Sequence, residues 1–187
     1  PLSEDEIELL RNWIEQGAKF DGLDREASFR SIMPPRDHPA SPDKYRQPVP
    51  LYAIAFSPDG SELAVGGYHE VTVWNPETGQ LVGRIGRLPQ RIQSLSFTKD
   101  GSKLLVAGGS PGEYGEVCLV DLKAGTRSLV FGTFEDIVLD AAFSPDESTV
   151  AAGSADRSVR AWKTADGKQL WSSSVHSDWV TGVSISH

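Results

Sequence analysis

The sequence predicts an all-β fold assembled from a repeated four-stranded sheet, and three observations carry that reading. A phrase returns in register: Phe56 in AFSPDG, Phe97 in SFTKDG and Phe143 in AFSPDE stand 41 and 46 residues apart, and Ile185 of SIS follows 42 residues later. A second landmark keeps step, since Trp74, Val120 and Trp162 lie 18, 23 and 19 residues after those phenylalanines. Each copy also holds four short apolar runs cut by Gly, Asp or Pro. A period of about 40–45 residues with that interior is the mark of a β-propeller blade. The expected architecture is a partial propeller over residues 49–187, with four-stranded blades at 49–91, 92–137 and 138–179 and the start of another at 180–187. One N-terminal helix and a Pro-rich linker precede it.

The helix is written in the segment PLSEDEIELLRNWIEQGAKFDG. Ser3 is its N-cap, Glu6 completes a capping box, and Leu2 and Ile7 are spaced as a hydrophobic staple. Gly17 stops it. Ile7, Leu10 and Ile14 follow the 3.6-residue period, with Leu9 and Trp13 widening the stripe, so one face needs burial. A helix this short does not hold alone in water, so residues 1–20 are expected to close an upstream domain. From residue 21 to 48 the composition shifts to scattered charges and prolines, continuing to Pro50, which predicts a semi-rigid linker. Met33 and His38 read there as plain linker residues rather than ligands.

Blade one follows with strands at 51–57, 61–67, 70–75 and 80–85, turned by Ser57-Pro58-Asp59-Gly60 and Asn75-Pro76-Glu77-Thr78-Gly79. Blade two repeats the pattern at 94–98, 103–107, 116–121 and 127–130, with an insertion at 108–115 expected to be a glycine-rich loop. Blade three runs over 138–174, and 180–186 is expected to open the next blade.

Composition narrows the function classes. A formal net charge of -8 without any basic cluster argues against a nucleic-acid or anionic-membrane partner. The single cysteine, Cys118, excludes an internal disulfide, and its strand position suits an inert buried thiol. No run reaches the roughly 18 apolar residues of a membrane span, and no signal peptide is visible. The chain opens at Pro1 and closes inside a strand pattern, so it reads as a piece of a longer polypeptide. Propellers close with roughly 4–8 blades. Three blades therefore expose faces meant for the remaining blades of the same chain.

Candidate chemistry is sparse. Asp59, Asp100 and Asp146 recur once per copy, which makes them turn formers rather than a converging site. The Gly108-Gly109-Ser110-Pro111-Gly112 run lacks the Gly-Lys-Ser/Thr ending of a phosphate loop, and Ser110 is not in a nucleophile elbow. His38, His69, His176 and His187 supply no H-x-x-x-H pair for a metal. No catalytic, metal or cofactor-binding residue is assigned.

The AFSPDG turn, GSADRSVRAW from Gly153 to Trp162, and HSDWVTGVSIS from His176 to Ser186 resemble the WD-repeat β-propellers. The chain departs from that pattern where the closing Trp-Asp pair reads Trp74-Asn75, Val120-Asp121 and Trp162-Lys163. The resemblance implies a structural network of His, Asp, Ser/Thr and Trp within each blade. Ser154, Asp156, Trp162 and His176 match its members, but Phe134 takes the histidine position of blade three and Tyr68 replaces the aspartate of blade one. It also implies a protein partner on the face where blade connections rim the channel. Tyr68, His69, Arg91, Tyr114, Arg157 and Asp178 fall in those connections, and aromatic and arginine side chains suit an interface.

Leu2, Ser3, Glu6, Ile7, Leu10, Trp13, Ile14, Gly17 and Ala18 resemble the closing helix of the planctomycete-type c-type cytochrome domain. That resemblance implies a non-enzymatic scaffold in a bacterial c-type cytochrome/WD-repeat fusion, exported or periplasmic, with haem c and electron transfer in the upstream domain. No C-x-x-C-H occurs here, so no cofactor is expected in these residues. Two alternatives stand beside it: a cytoplasmic signalling or assembly scaffold with another upstream domain, and an enzyme whose site lies in the channel of the complete ring.

Overall fold

A computed structural model describes residues 3–17 and 36–186. The chain divides into two compact units, Pro1–Pro34 and Pro35–His187. Expectations resting on Leu2, Ala18, Met33 and His187 fall outside the described residues.

In the first unit, α1 spans Glu4–Glu15. The capping box forms as the sequence requires: the Glu6 amide donates to Ser3 Oγ at 3.3 Å, and the Ser3 amide donates to Glu6 Oε2 at 2.7 Å. Those bonds from Ser3 hold the Glu6 carboxyl below its ordinary range. Gly17 ends the helix at φ +88°, a conformation that costs glycine little. The apolar stripe of Ile7, Leu10, Trp13 and Ile14 is exposed.

The second unit is a run of antiparallel strands in three blades. Blade one comprises β1 (Ile54–Phe56), β2 (Leu63–Gly66), β3 (Tyr68–Trp74) and the first half of β4 (Leu81–Phe97). The second half of β4 is the inner strand of blade two, which continues with β5 (Lys103–Ser110), β6 (Tyr114–Asp121) and β7 (Thr126–Phe134). Blade three is a separate sheet of β8 (Val138–Phe143), β9 (Thr149–Ser154), β10 (Val159–Lys163) and β11 (Gln169–Ser173). Within each of the two sheets consecutive strands pair antiparallel, so the predicted fold class is observed.

Three details differ from expectation. The outer strand of blade one and the inner strand of blade two are one continuous strand, whose pairing with β3 jumps from Glu70↔Gly86 to Tyr68↔Arg91 where it crosses between blades. The insertion at 108–115 is not a loop: β5 and β6 extend through it and close at 111–113. Its glycines are there for approach. A Cβ on Gly108 would stand 1.9 Å from the Arg91 carbonyl oxygen, so a strand usually weakened by glycine requires it at this point. Residues 180–186 form no strand; they lie beside blade three through Val180 N–H to Ser154 O and Val183 N–H to Asp140 Oδ2.

Blade two is buried on both faces, which explains its unbroken apolar runs. Leu104, Val106, Cys118 and Val120, with Ile92, pack against Ala64, Val71 and Ile85 of blade one. The alternate residues, Leu105, Ala107, Val117 and Leu119, pack against Phe131, Phe134, Val150 and Trp162. Burial pushes the Cys118 thiol well above its ordinary range, as an inert core residue requires.

The recurring aspartates are turn residues with one geometry. In each copy the Oδ1 atom accepts from the hydroxyl two residues before (Ser57, Thr98, Ser144) and from the amide and hydroxyl two residues after (Ser61, Ser102, Ser148). These donors lower all three carboxyls to about 2. Gly60 and Gly101 follow at φ +74° and +69°, whereas Glu147 takes the same left-handed conformation at +59°.

Candidate functional site

The side chains expected on the channel rim separate into two groups. Tyr68 and His69 stack edge to face with ring centroids 4.8 Å apart. Gln90, in β4 between the blades, joins the tyrosines: its Nε2 donates to Tyr68 Oη at 2.7 Å, and its amide donates to Tyr114 Oη at 3.1 Å. Arg91 stands opposite Tyr68 in the sheet register and is exposed. Arg157 and Asp178 are exposed on blade three and the segment after it, and the bonds of this cluster do not extend to them. Tyr114 is not a rim residue. It is 5% exposed at the start of β6, and burial raises its phenol pKa.

What covers Tyr114 is the stretch expected to be linker. Residues 36–50 have no regular secondary structure, yet their side chains and carbonyls are held against blades one and two. His38, expected to be a plain linker residue, is buried at 2% exposure. Its ring stacks on Tyr114 with centroids 5.8 Å apart and lies 6.0 Å from His69. Arg36 also lies over this ring, 4.3 Å from the Tyr114 ring centre.

Two buried glutamates organise this contact, and they occupy one repeat position, four residues before Trp74 and Val120. In blade two, Glu116 is fully buried. Its Oε1 accepts from Arg127 Nη1 at 2.9 Å, and its Oε2 lies 3.1 Å from His38 Nε2. A carboxylate only accepts, so Nε2 carries the hydrogen. Arg127 Nη2 donates onward to the Arg36 carbonyl at 3.1 Å. In blade one, Glu70 is 4% exposed; its Oε2 accepts from Arg84 Nε at 2.8 Å and its Oε1 faces Tyr45 Oη at 2.8 Å. Arg84 Nη2 donates to the Pro42 carbonyl at 2.8 Å. Burial, reinforced by Glu70, pushes the Tyr45 phenol up to about 12. Blades one and two thus each present a buried carboxylate paired to an arginine. Each pair takes one side chain from the same segment, with one of its carbonyls on Arg127 and two on Arg84.

Buried charges of this kind require full pairing. The sequence reading passed over Glu70 and Glu116, although a signal was present: Tyr68-x-Glu70-Val71 and Tyr114-x-Glu116-Val117 repeat at the same register.

In blade three, Ser154 and Asp156 bond to the connection before β8 and to the β9–β10 turn, and Trp162 packs in the core. Ser154 Oγ donates to the carbonyls of Asp136 and Ile137. Asp156 accepts from the Ser158 amide at 2.9 Å and from the Glu135 amide at 2.9 Å. Burial opposes ionisation of Asp156, but these donors and Arg160 outweigh it and lower its pKa. Trp162 is 1% exposed and packs edge to face on Phe134 at 5.8 Å. Arg160 lies 4.4 Å over the Phe134 ring. Aromatic packing therefore stands where a histidine would close the network. His176 is exposed.

A cavity of about 780 Å³ opens between residues 45–49 and β2 and β3, with Leu63, Val65, Thr72 and Trp74 on its wall. The carboxylate in its lining is Glu70, already engaged. Among the described residues no group of three or more His, Cys, Asp or Glu gathers in a metal-binding arrangement, and no helix is long and apolar enough to cross a membrane.

Three blades of equivalent register define a repeat-built propeller segment. Comparison with known families agrees: WD40, described as WD domain, G-beta repeat, matches residues 44–75 and 126–163. WD repeat-containing protein SL1-17 of Schistosoma mansoni is 33% identical over 65% of this chain and 39% of its own length. Periodic tryptophan protein 2 homolog of Schizosaccharomyces pombe is 29% identical over 65% of this chain and 14% of its own. Intraflagellar transport protein 122 homolog of Xenopus tropicalis is 36% identical over 41% of this chain and 6% of its own. The chain thus spans well under half the length of these relatives.

Proposed function

We propose that this chain is part of a non-enzymatic protein-interaction scaffold that engages a protein partner on the face formed by its blade connections. The observation that carries the reading is that this face already holds an extended stretch of polypeptide, residues 36–47, through side-chain pockets built by two blades. Arg91 remains exposed beside it, and Arg157 and Asp178 are exposed on blade three and the segment after it, as the proposed contact residues for a partner. Charge reversal at Arg91 and Arg157 in the full-length protein tests this. Affinity capture is expected to lose its main partner while the fold is kept, and unchanged capture would refute the assignment of this face.

The scaffold is proposed to belong to a bacterial c-type cytochrome fusion, with haem c in an upstream domain and the whole protein exported. Two things support it: the match of Ser3, Glu6, Ile7, Leu10, Trp13, Ile14 and Gly17 to that domain's closing helix, and the exposure of the α1 stripe, which suits a face made for another domain. An absorbance spectrum of the full-length protein from a host competent in haem attachment tests it, and spectra without reduced haem bands would remove it. A second reading, a signalling or assembly scaffold with a different upstream domain, is supported by the relatives above, whose names mention no haem.

A further inference from the structure

The groove across β3–β4 and β6–β7 has the properties of a peptide-binding site rather than of a chain connection. Every hydrogen bond described between residues 36–47 and the sheets runs through a side chain on at least one side, with no strand pairing. Within residues 36–47 His38 alone is buried, Ser41 and Tyr45 are half-buried, and the rest are exposed. Sparse anchors on an otherwise solvated, proline-punctuated segment are how extended peptides dock. The two receiving units have the same chemistry. Arg127 takes the carbonyl of Arg36 while Glu116 takes the side chain of His38; Arg84 takes the carbonyls of Pro42 and Asp43 while the side chain of Tyr45 reaches Glu70 and the Tyr68 carbonyl. Between them the segment lies close on a glycine: a Cβ at Gly86 would stand 3.2 Å from Ser41 Oγ.

We propose that this groove is a peptide site occupied in cis by residues 36–47. Its ligand in trans is an extended segment that presents an imidazole and, seven residues later, a phenol to the two buried carboxylates, and backbone carbonyls to the two arginines. This deepens the interaction-scaffold reading and rests on it. Covalent continuity into β1 gives the cis segment a high effective concentration, so a free peptide competes only when that link is cut.

The test is a full-length chain carrying a specific protease sequence inserted at the exposed Gln47–Pro48 bond, nicked after folding. A fluorescent peptide of residues 35–47 is then titrated while anisotropy and circular dichroism are followed. The nicked protein is expected to keep its β-sheet signal, to bind the labelled peptide, and to release it to unlabelled peptide. Peptides with His38→Ala or Tyr45→Phe are each expected to bind about tenfold more weakly, the worth of one hydrogen bond to a charged group. Loss of the β-sheet signal on nicking would overturn the proposal, because the segment would then be a structural part of the fold. A folded nicked protein that does not bind the peptide, or binds the substituted peptides equally well, would also overturn it. Failure of the Arg91 and Arg157 variants to alter partner capture would leave this outcome untouched, so the two readings fail separately.

Discussion

Blades two and three solve the same structural problem with different chemistry. Where β9 turns into β10, Asp156 closes the turn on itself through Ser158 and reaches the preceding connection through the Glu135 amide. At the equivalent positions at the start of β6, Tyr114 replaces the aspartate and Glu116 replaces Ser158. The tyrosine still reaches the preceding connection, by accepting from the Gln90 amide. The glutamate, however, is a buried charge that no turn amide satisfies, and it recruits Arg127 and His38 from elsewhere. Blade one repeats the second solution with Tyr68, Glu70, Arg84 and Tyr45. A repeat position can therefore be satisfied within its own hairpin or by recruiting a distant segment, and only the second choice ties residues 36–47 to the blades.

That contrast is broken most directly at Glu116. Glu116→Ala leaves Arg127 and His38 facing an unfilled site, and loss of one partner from a buried pair costs about 3–5 kcal/mol. Chemical denaturation is expected to show that loss, with cleavage by a nonspecific protease appearing within residues 36–47. Asp156→Ala is expected to cost about 1–3 kcal/mol, from amide donors left unpaired, and to leave residues 36–47 resistant. Equal proteolysis of the two variants would remove the distinction between the blades. Tyr45→Phe comes next: it deletes the half-buried hydroxyl that lies 2.6 Å from the Tyr68 carbonyl and 2.8 Å from the Glu70 carboxylate, worth about 1–2 kcal/mol, and increases protease access without unfolding the sheets.

A smaller effect of opposite sign sharpens the description of blade three. Arg157 sits at φ +71°, a left-handed conformation that costs an L-residue about 1–2 kcal/mol relative to glycine. Arg157→Gly is expected to raise the melting temperature by a few degrees, and a lower one would show that the arginine is held by contacts outweighing its strain. The aspartate turns give the smallest signal, shared by all blades. Their folded pKa values near 2 lie below the ordinary 3.8, so their stabilisation is complete above pH 3.8 and is lost as pH falls towards 2. Asp59→Asn is expected to flatten that acid dependence, read as the denaturation midpoint from pH 5 to pH 2.

The repeat was legible because its signals are local. The period, the Ser/Thr-x-Asp-x-Ser turns and the capping box at Ser3 are satisfied within a few residues of themselves. Recruitment by Glu116 was not, since its partner His38 lies 78 residues away in a stretch whose composition reads as linker. Proline content reports that residues 36–50 do not form helix or strand; it does not report whether their side chains find pockets. Tyr114 misled for a related reason, because a tyrosine beside a glycine-rich run looks like a loop contact until the strand proves to continue through it. The glycines at 108 and 109 have the composition of a loop, whereas close passage of β4 and β6 demands them within the sheet.

The measurement that tests the account most directly is a double-mutant cycle between His38 and Glu116, using His38→Ala, Glu116→Gln and the pair in chemical denaturation. A coupling of about 1.5–3 kcal/mol is expected for a buried hydrogen bond to a charged group, with a matching cycle between Asp156 and His38 giving none. Independent effects of His38 and Glu116, adding without coupling, would contradict the claim that the buried glutamate holds residues 36–47 in place.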